Sequence, residues 1–437
     1  MNRVMKDSGI EWIGEISENW KIVSFKRLGT PLTGSTPSKS RQEYWNGSIP
    51  WVSSKDIKSN YIFDSEDHIT KEAVDDCGLT VFETGTLVFC VRSGILRHTF
   101  PVSVSLIPVT INQDLRALNP SEEINPAFLL YYMRGMNDTI VKLYQKIGAT
   151  VESIEMDWFL YFPVVLPPLI EQNQIVELID KKYAEIDLLI AAKEKSNSLL
   201  KEWRQSIIYE AVTKGLDTSV PMKDSGIEWI GKIPASWKIN KLKFLGSLTI
   251  GLTYSPDEIS EDGTLVLRSS NIQDGKIVHA DDVFVSKEIS EKIRTQEGDI
   301  LICSRNGSPN LIGKNAVITK EFSGQTFGAF MTVFHSKYNY YIRHLLNSSV
   351  FDYYIGSFLT STINQLTTAN LSNILVPIPQ SEAEMMRIAD YIDDRTQQIN
   401  KIIKKNELSI QQLKEYRQSL IYEAVTGKIC INEMEKK

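Results

Sequence analysis

MKDSGIEWIG, residues Met5–Gly14, recurs letter for letter as Met222–Gly231. The match runs on, since Trp20-Lys21-Ile22 answers Trp237-Lys238-Ile239 at the same spacing of 217 residues. A repeat of this length decides the architecture before any local pattern is read. A second duplication lies elsewhere: KEWRQSIIYEAVT (Lys201–Thr213) against KEYRQSLIYEAVT (Lys414–Thr426), 213 residues apart. The chain therefore reads as two long units in tandem, each opening on DSGIEWIG and closing on RQS-I/L-IYEAVT.

Weaker echoes fill the interior. LVFCVRSG (Leu87–Gly94) lies opposite ILICSRNG (Ile300–Gly307), which pairs Cys90 with Cys303 and Arg92 with Arg305. Val52–Ile57 can be laid on Leu267–Ile272, and Thr150-Val151 and Ile154 on Thr362-Ile363 and Leu366. Short apolar runs bounded by Gly are read as buried strands, and longer stretches such as Phe128–Tyr144 carry helical periodicity. Turn residues cluster at Gly34–Ser38, Trp45–Pro50 and Arg305–Asn310. Each unit thus begins with a mixed α/β part.

Each unit ends in a helix. Residues from about Glu171 to Thr213 and from about Glu382 to Thr426 contain neither Pro nor Gly. Ile179, Ile186, Lys193, Leu200 and Ile207 recur every seven residues, as do Ile392, Ile399, Asn406, Leu413 and Leu420. Ile175, Leu189 and Trp203, with Ile388, Ile402 and Tyr416, are expected to widen the stripe. This is the seam of a coiled coil, and at 1.5 Å per residue each helix is roughly 65 Å long. Two like units would pack these helices antiparallel, with Lys193 facing Asn406 in a polar central layer that fixes register. The alternative is that both point to solvent.

The first helix is followed by DSGIEWIG, but nothing similar follows the second; the other copy stands at Asp7–Gly14. If the segment serves each helix end, the N-terminal copy sits beside the C-terminal helix. The expected fold is therefore mixed α/β (α+β) domains, duplicated and joined by two long helices in an antiparallel coiled coil, pseudo-twofold and effectively circular. The expected divisions are 1–160, 161–221, 222–375 and 376–437.

Composition bounds the function. With 437 residues, 42% hydrophobic and 9% aromatic, the chain has ample core. No apolar run approaches the roughly 20 residues needed to cross a bilayer, and the start lacks a signal-peptide pattern. The four cysteines lack metal-ligand spacing and are read as reduced, mostly buried thiols in a cytoplasmic protein. A net charge of −6 disfavours coating of nucleic acid by bulk charge but leaves room for a local basic cleft.

The residues carry a family resemblance. DSGIEWIG with Pro234 and Trp237, GSTPS with YWNGSIPWVS (Gly34–Ser38, Tyr44–Ser53), NQDLRALNP (Asn112–Pro120), LPPLIEQ (Leu166–Gln172) and RQSIIYEAVT (Arg204–Thr213) together resemble the DNA-specificity subunit of a type I restriction-modification system. The likeness covers the whole chain; one departure is PQSEAE at Pro379–Glu384. The resemblance implies a non-enzymatic reader of double-stranded DNA, one target-recognition domain for each half of a split, asymmetric site. It also implies two methyltransferase subunits docked on the helical spacers and two ATP-dependent restriction/translocase subunits. S-adenosylmethionine, ATP and magnesium would belong to those partners, leaving this chain no cofactor of its own. Two domains reading one face of B-DNA would have centres about one turn, roughly 34 Å, apart.

Positions the two domains share should do shared work, and positions where they differ should read bases. Arg92 and Arg305, each after a strand and before a glycine turn, are shared candidates for phosphate or guanine; the competing reading is a structural ion pair. Ser54 and Ser269 fit as small donors. Unshared candidates are Lys39, Arg41 and Lys55 in the first domain and Arg268, Asn271, Asn306, Ser308 and Lys314 in the second. The chain has no N/D-P-P-Y/F methyltransferase motif, no G-x-x-x-x-G-K-S/T phosphate loop and no zinc-hydrolase histidine pair. The alternative enzyme reading is a stand-alone metal-dependent nuclease using Asp257, Asp274 and Lys276, in a loose PD…D-x-K pattern; its rival is that Asp274-Gly275 is only a turn.

Overall fold

The computed structural model describes residues 4–146, 148, 150–358 and 365–428. Thr362, Ile363 and Cys430 lie outside these, so the interior echo at 362–363 has no structural counterpart to compare. The chain forms two compact units, Met1–Lys193 with Leu408–Lys437, and Glu194–Glu407. The boundaries of these units fall within the long helices, whereas the four-part sequence division falls beside them.

In the first unit, eight strands matter for the site: β1 (Leu32–Thr33), β2 (Trp45–Val52), β3 (Tyr61–Ile62), β4 (Asp67–Ile69), β5 (Leu87–Cys90), β6 (Val102–Ser105), β7 (Thr110–Ile111) and β8 (Leu115–Leu118). They build a five-stranded sheet in the order β1-β8-β5-β6-β3 and a three-stranded one, β7-β2-β4. The run LVFC is buried at every position, on both faces of β5, which is why it is continuously apolar instead of alternating. Helix α1 (Pro126–Gly135) follows, with Asn125 capping its first turn and Pro126 at its start. The long helix α2 (Leu169–Lys214) begins in this unit and ends in the other.

The second unit repeats the plan with β9 (Ser247–Ile250), β10 (Thr264–Leu267), β11 (Ile300–Cys303), β12 (Asn315–Val317), β13 (Thr326–Phe327) and β14 (Met331–His335). Its sheet order is β9-β14-β11-β12, antiparallel throughout like β1-β8-β5-β6. The parallel pair β2/β7, Val52 on Ile111, has its twin in β10/β13, Leu267 on Phe327. Helix α3 (Asn339–Leu345) and the long helix α4 (Glu382–Val425) complete it. Burial pushes the paired thiols of Cys90 and Cys303 up to about 11, as inert core groups.

Each repeated segment clasps helix ends. Trp20 and Trp237 are fully buried. In the first unit the Trp20 indole N–H donates to Glu171 Oε2 (2.8 Å), at the start of α2, while a Cβ at Gly427, just past α4, would lie 2.9 Å from the same ring. In the second unit Trp237 donates to Glu384 Oε1 (2.9 Å), at the start of α4, and a Cβ at Gly215, past α2, would lie 3.2 Å from Trp237. Both glycines have φ +74°, the left-handed cap for which a side chain is strained. Around them Ile13, Ile16 and Trp20 share a core with Ile421 and Val425, and Ile230, Ile233 and Trp237 share one with Ile208 and Val212. The Tyr422 hydroxyl donates to Trp12 O (2.5 Å) and that of Tyr209 to Trp229 O (3.2 Å). The departure at Pro379–Glu384 thus keeps the glutamate–tryptophan contact at the helix start.

Within the second unit, Asn197 meets Asn406 (2.9 Å) and Arg204 meets Asn400 (2.7 Å), so α2 and α4 are antiparallel neighbours there. Ile207, Ile399 and Ile403 bury one another with Leu200. In the first unit Arg417 donates to Asp187 (2.7 Å) and lies over the Tyr183 ring. Two expectations are corrected. Asn406 bonds Asn197, not Lys193, which is half-buried. Leu189, Trp203, Ile402 and Tyr416 are each about half exposed. Ile190, Asn197 and Ala211 are buried instead, and Asn197 and Arg204 are the positions whose side chains bond α4. Ile175 and Ile388 are buried, but against the α/β cores.

Candidate nucleic-acid interface

Two loops in each unit are held by matching bonds, one through the main chain and one through a side-chain oxygen. Val91 N and Arg92 N both donate to Asp114 O (2.9 and 3.2 Å); Ser304 N and Arg305 N both donate to Phe330 O (2.9 and 3.0 Å). Ile154 N donates to Val91 O (2.8 Å), as Leu366 N does to Ser304 O (2.7 Å). Ser53 N donates to Asp56 Oδ2 (2.8 Å), as Arg268 N does to Asn271 Oδ1 (2.9 Å). Beside them pass Gly34 and Gly251, whose added Cβ would fall 1.8 Å from Ile111 O and 2.2 Å from Phe327 O. Only glycine allows this approach of loop to strand.

On this shared frame the side chains diverge. In the first unit Arg92 is exposed and ion-paired with no described residue. Thr36 Oγ1 donates to Gln113 Oε1 (2.5 Å), and the Trp51 indole N–H, donating to Ser35 O (3.0 Å), pins the loop. Ser54 is half-buried, and Lys39 is exposed. Arg41 is tied to Glu43 (2.7 Å) and lies over Tyr44, whose hydroxyl donates to Asp76. Lys55 sits between Asp67 (2.8 Å) and Glu66 (3.1 Å), and their hydrogen bonds hold its ammonium above the usual lysine range.

In the second unit Arg268 and Ser269 line a cavity of about 550 Å³ with Leu252, Tyr254, Ala329 and Phe330. Arg268 pairs with Asp281 (2.8 Å). Asn306 donates to Ser269 Oγ (3.1 Å) and accepts from Ser308 N (3.0 Å), and Arg305 lies over the Phe330 ring, 5.1 Å from its centre. Five of the expected residues, Arg268, Ser269, Arg305, Asn306 and Ser308, are therefore neighbours. Lys314 is half-buried and forms no part of that cavity wall. Asn271 is corrected: it is fully buried, donating to Val278 O, Ala280 O and Asp282 Oδ1 while accepting from Arg268 N. All its polar capacity is used inside the loop, so it holds the loop rather than reading a base.

Sequence reasoning missed Gln113, Asp114 and Phe330. Their signal was available: NQD at Asn112–Asp114 aligns with GAF at Gly328–Phe330 on a common backbone, and the two share no residue.

The nuclease alternative fails on geometry. Asp274 (φ +49°) and Gly275 (φ +72°) turn the tight hairpin between Ile272–Gln273 and Lys276–Ile277, as Asp-Gly does in such turns. Asp274 and Lys276 line a cavity whose wall excludes Asp257. Among the described residues no group of three acidic, His or Cys side chains could hold a metal.

A duplicated hollow adjoins the helices. In the first unit it measures about 800 Å³ and is lined by Arg134, Tyr183, Arg417, Gln418 and Ile421. Its twin measures about 840 Å³ and is lined by Asn347, Thr396, Arg204, Gln205 and Ile208. The RQS motif of each helix thus borders a hollow. Among the described residues no helix is long and apolar enough to cross a membrane.

The type I restriction modification DNA specificity domain matches the chain twice, over residues 17–197 and 234–412. The chain belongs to that family and is a DNA specificity subunit. It is 35% identical over 169 residues to the EcoR124I/EcoR124II specificity subunit of Escherichia coli, a match covering 38% of this chain and 41% of that one. It is 23% identical to the MjaIX specificity subunit of Methanocaldococcus jannaschii over 97% of this chain and 96% of that one. In fold it resembles a chain from a type I R-M complex (TM-score 0.73, 15% identity, 95% and 99% covered) and the HsdS subunit of Thermoanaerobacter tengcongensis (TM-score 0.55, 16% identity, 95% and 98% covered).

Proposed function

We propose that this chain recognises an asymmetric, bipartite site in double-stranded DNA, one half per α/β domain, and delivers methyltransferase and restriction subunits to it. The observation that carries this is the pairing of an identical main-chain frame around Arg92 and Arg305 with side chains that differ at 112–114 and 328–330. A shared frame suits phosphate contact, and divergent side chains suit two different base sequences. Lys39, Arg41, Ser54, Lys55 and Arg92 serve the first half-site; Arg268, Ser269, Arg305, Asn306, Ser308 and Lys314 serve the second. The chain works in the cytoplasm without a cofactor, and S-adenosylmethionine, ATP and magnesium serve its partners.

The two helices pair along their length as an antiparallel coiled coil in a pseudo-twofold, circular arrangement, a reading supported by the two tryptophan clasps and the antiparallel contacts of the second unit. Two methyltransferase subunits dock on this spacer. The support is that Leu189 and Tyr416 in one unit, Trp203 and Ile402 in the other, are exposed at equivalent positions on the helices that border equivalent hollows. Large exposed apolar groups of this kind mark partner contacts.

The test is genome-wide mapping of methylated adenines in a methylation-free bacterium carrying the chain with its neighbouring methyltransferase, against the methyltransferase alone. A split motif that needs this chain is the expected result. Exchange of residues 23–160 for those of another family member should then alter one half-site only. A change in both halves would sink the modular reading.

A further inference from the structure

We infer that Phe330 reads a thymine in the half-site of the second domain, through the 5-methyl group of that base. The inference rests on the reader assignment above and names a contact within it. Phe330 is 56% exposed, yet it stands at the end of the loop whose carbonyl anchors Arg305, so it is held in place without being packed away. Arg305 lies over its ring, a cation–π contact that keeps the aromatic face occupied and the ring upright.

The surroundings suit this one base. In the major groove, thymine presents a methyl group beside the O4 acceptor, and no other base offers that pair. Phe330 borders a cavity whose wall includes the apolar Leu252 and Ala329 and the polar Arg268, Ser270 and Asp281. Arg268 stands in that wall as a donor group, its Nη2 paired with Asp281 (2.8 Å). An apolar edge next to a guanidinium matches a methyl next to a carbonyl oxygen. The first unit differs at this point: its counterpart of Phe330 is Asp114, a carboxylate, and an acceptor suits a base amino group rather than a methyl.

The experiment uses the full complex of this chain with its methyltransferase and duplexes carrying the mapped motif. Each thymine is replaced in turn by deoxyuridine, which removes only the methyl. One replacement in the second half-site should weaken binding by about fourfold, the worth of one buried methyl group. Phe330→Ala should bind the unmodified duplex more weakly by at least that factor and be blind to the same replacement. Phe330→Leu should keep part of the discrimination and shows that folding is intact. If no thymine in that half-site discriminates, or if Phe330→Ala loses affinity equally for both duplexes, the inference is overturned while the reader assignment stands. If the wild-type complex binds no bipartite motif, both fall together.

Discussion

The helix after each sheet meets its spacer differently in the two units. In the first, the Tyr131 hydroxyl bonds Asp180. In the second, 213 residues on, His344 Nε2 lies 3.5 Å from Asp393 Oδ1, and Arg343 takes the same carboxylate. Position and purpose match, but the chemistry does not. Burial, with the Asp180 bond second, holds the tyrosine well above its ordinary range, so it stays neutral. Burial and then the charge of Arg343 pull His344 down to about 3. A joint can thus be kept while its titration behaviour changes completely.

The comparison breaks hardest at the clasps. Trp20→Ala and Trp237→Ala should each lower stability by about 3–5 kcal/mol, as for other buried aromatic truncations. Urea unfolding gives the size, and limited proteolysis should show the damage confined to the unit altered. Equal damage in both units would contradict separate clasps. Next come Gly34→Ala and Gly251→Ala, each forcing a methyl onto a carbonyl; about 1–3 kcal/mol is expected for such overpacking, seen as a lower Tm.

The pH dependence separates the joints. Because His344 has a lower pKa folded than its ordinary 6.5, the unfolded chain binds a proton that the folded chain refuses. Stability is therefore full above about pH 6.5 and is lost as pH falls toward 3. At pH 5 the wild type should be about 2 kcal/mol less stable than at pH 7 through this group. His344→Gln should flatten that slope, and Tyr131→Phe should leave it alone. The smallest effect belongs to the spacer surface. Trp203→Ala and Tyr416→Ala should shift stability by no more than about 0.5 kcal/mol, yet weaken co-purification of the methyltransferase; unchanged association would remove these residues from the docking surface.

Much of this was legible because the chain contains its own alignment. The duplicated DSGIEWIG and RQS segments placed both helix ends, and Cys90 against Cys303 placed the central strands of both sheets. What escaped depended on direction. Heptad spacing located the buried Ile186 but could not say which of its neighbours, Ile190 or Leu189, is buried with it. Asn271 looked like a base reader because Asn suits adenine, but a loop closing on itself consumed every donor. Phe330 was invisible as a candidate because an aromatic in a short apolar run reads as core, and only the fold shows it standing at the rim.

The peptide bonds that bracket Arg92 and Arg305 carry a consequence for heredity. Since backbone groups hold the Arg92 and Arg305 loops to their neighbouring strands, a point substitution at a base-facing position there need not pass through a misfolded form. A lineage can revise one half of its target sequence while the other half, and the scaffold, stay as they were.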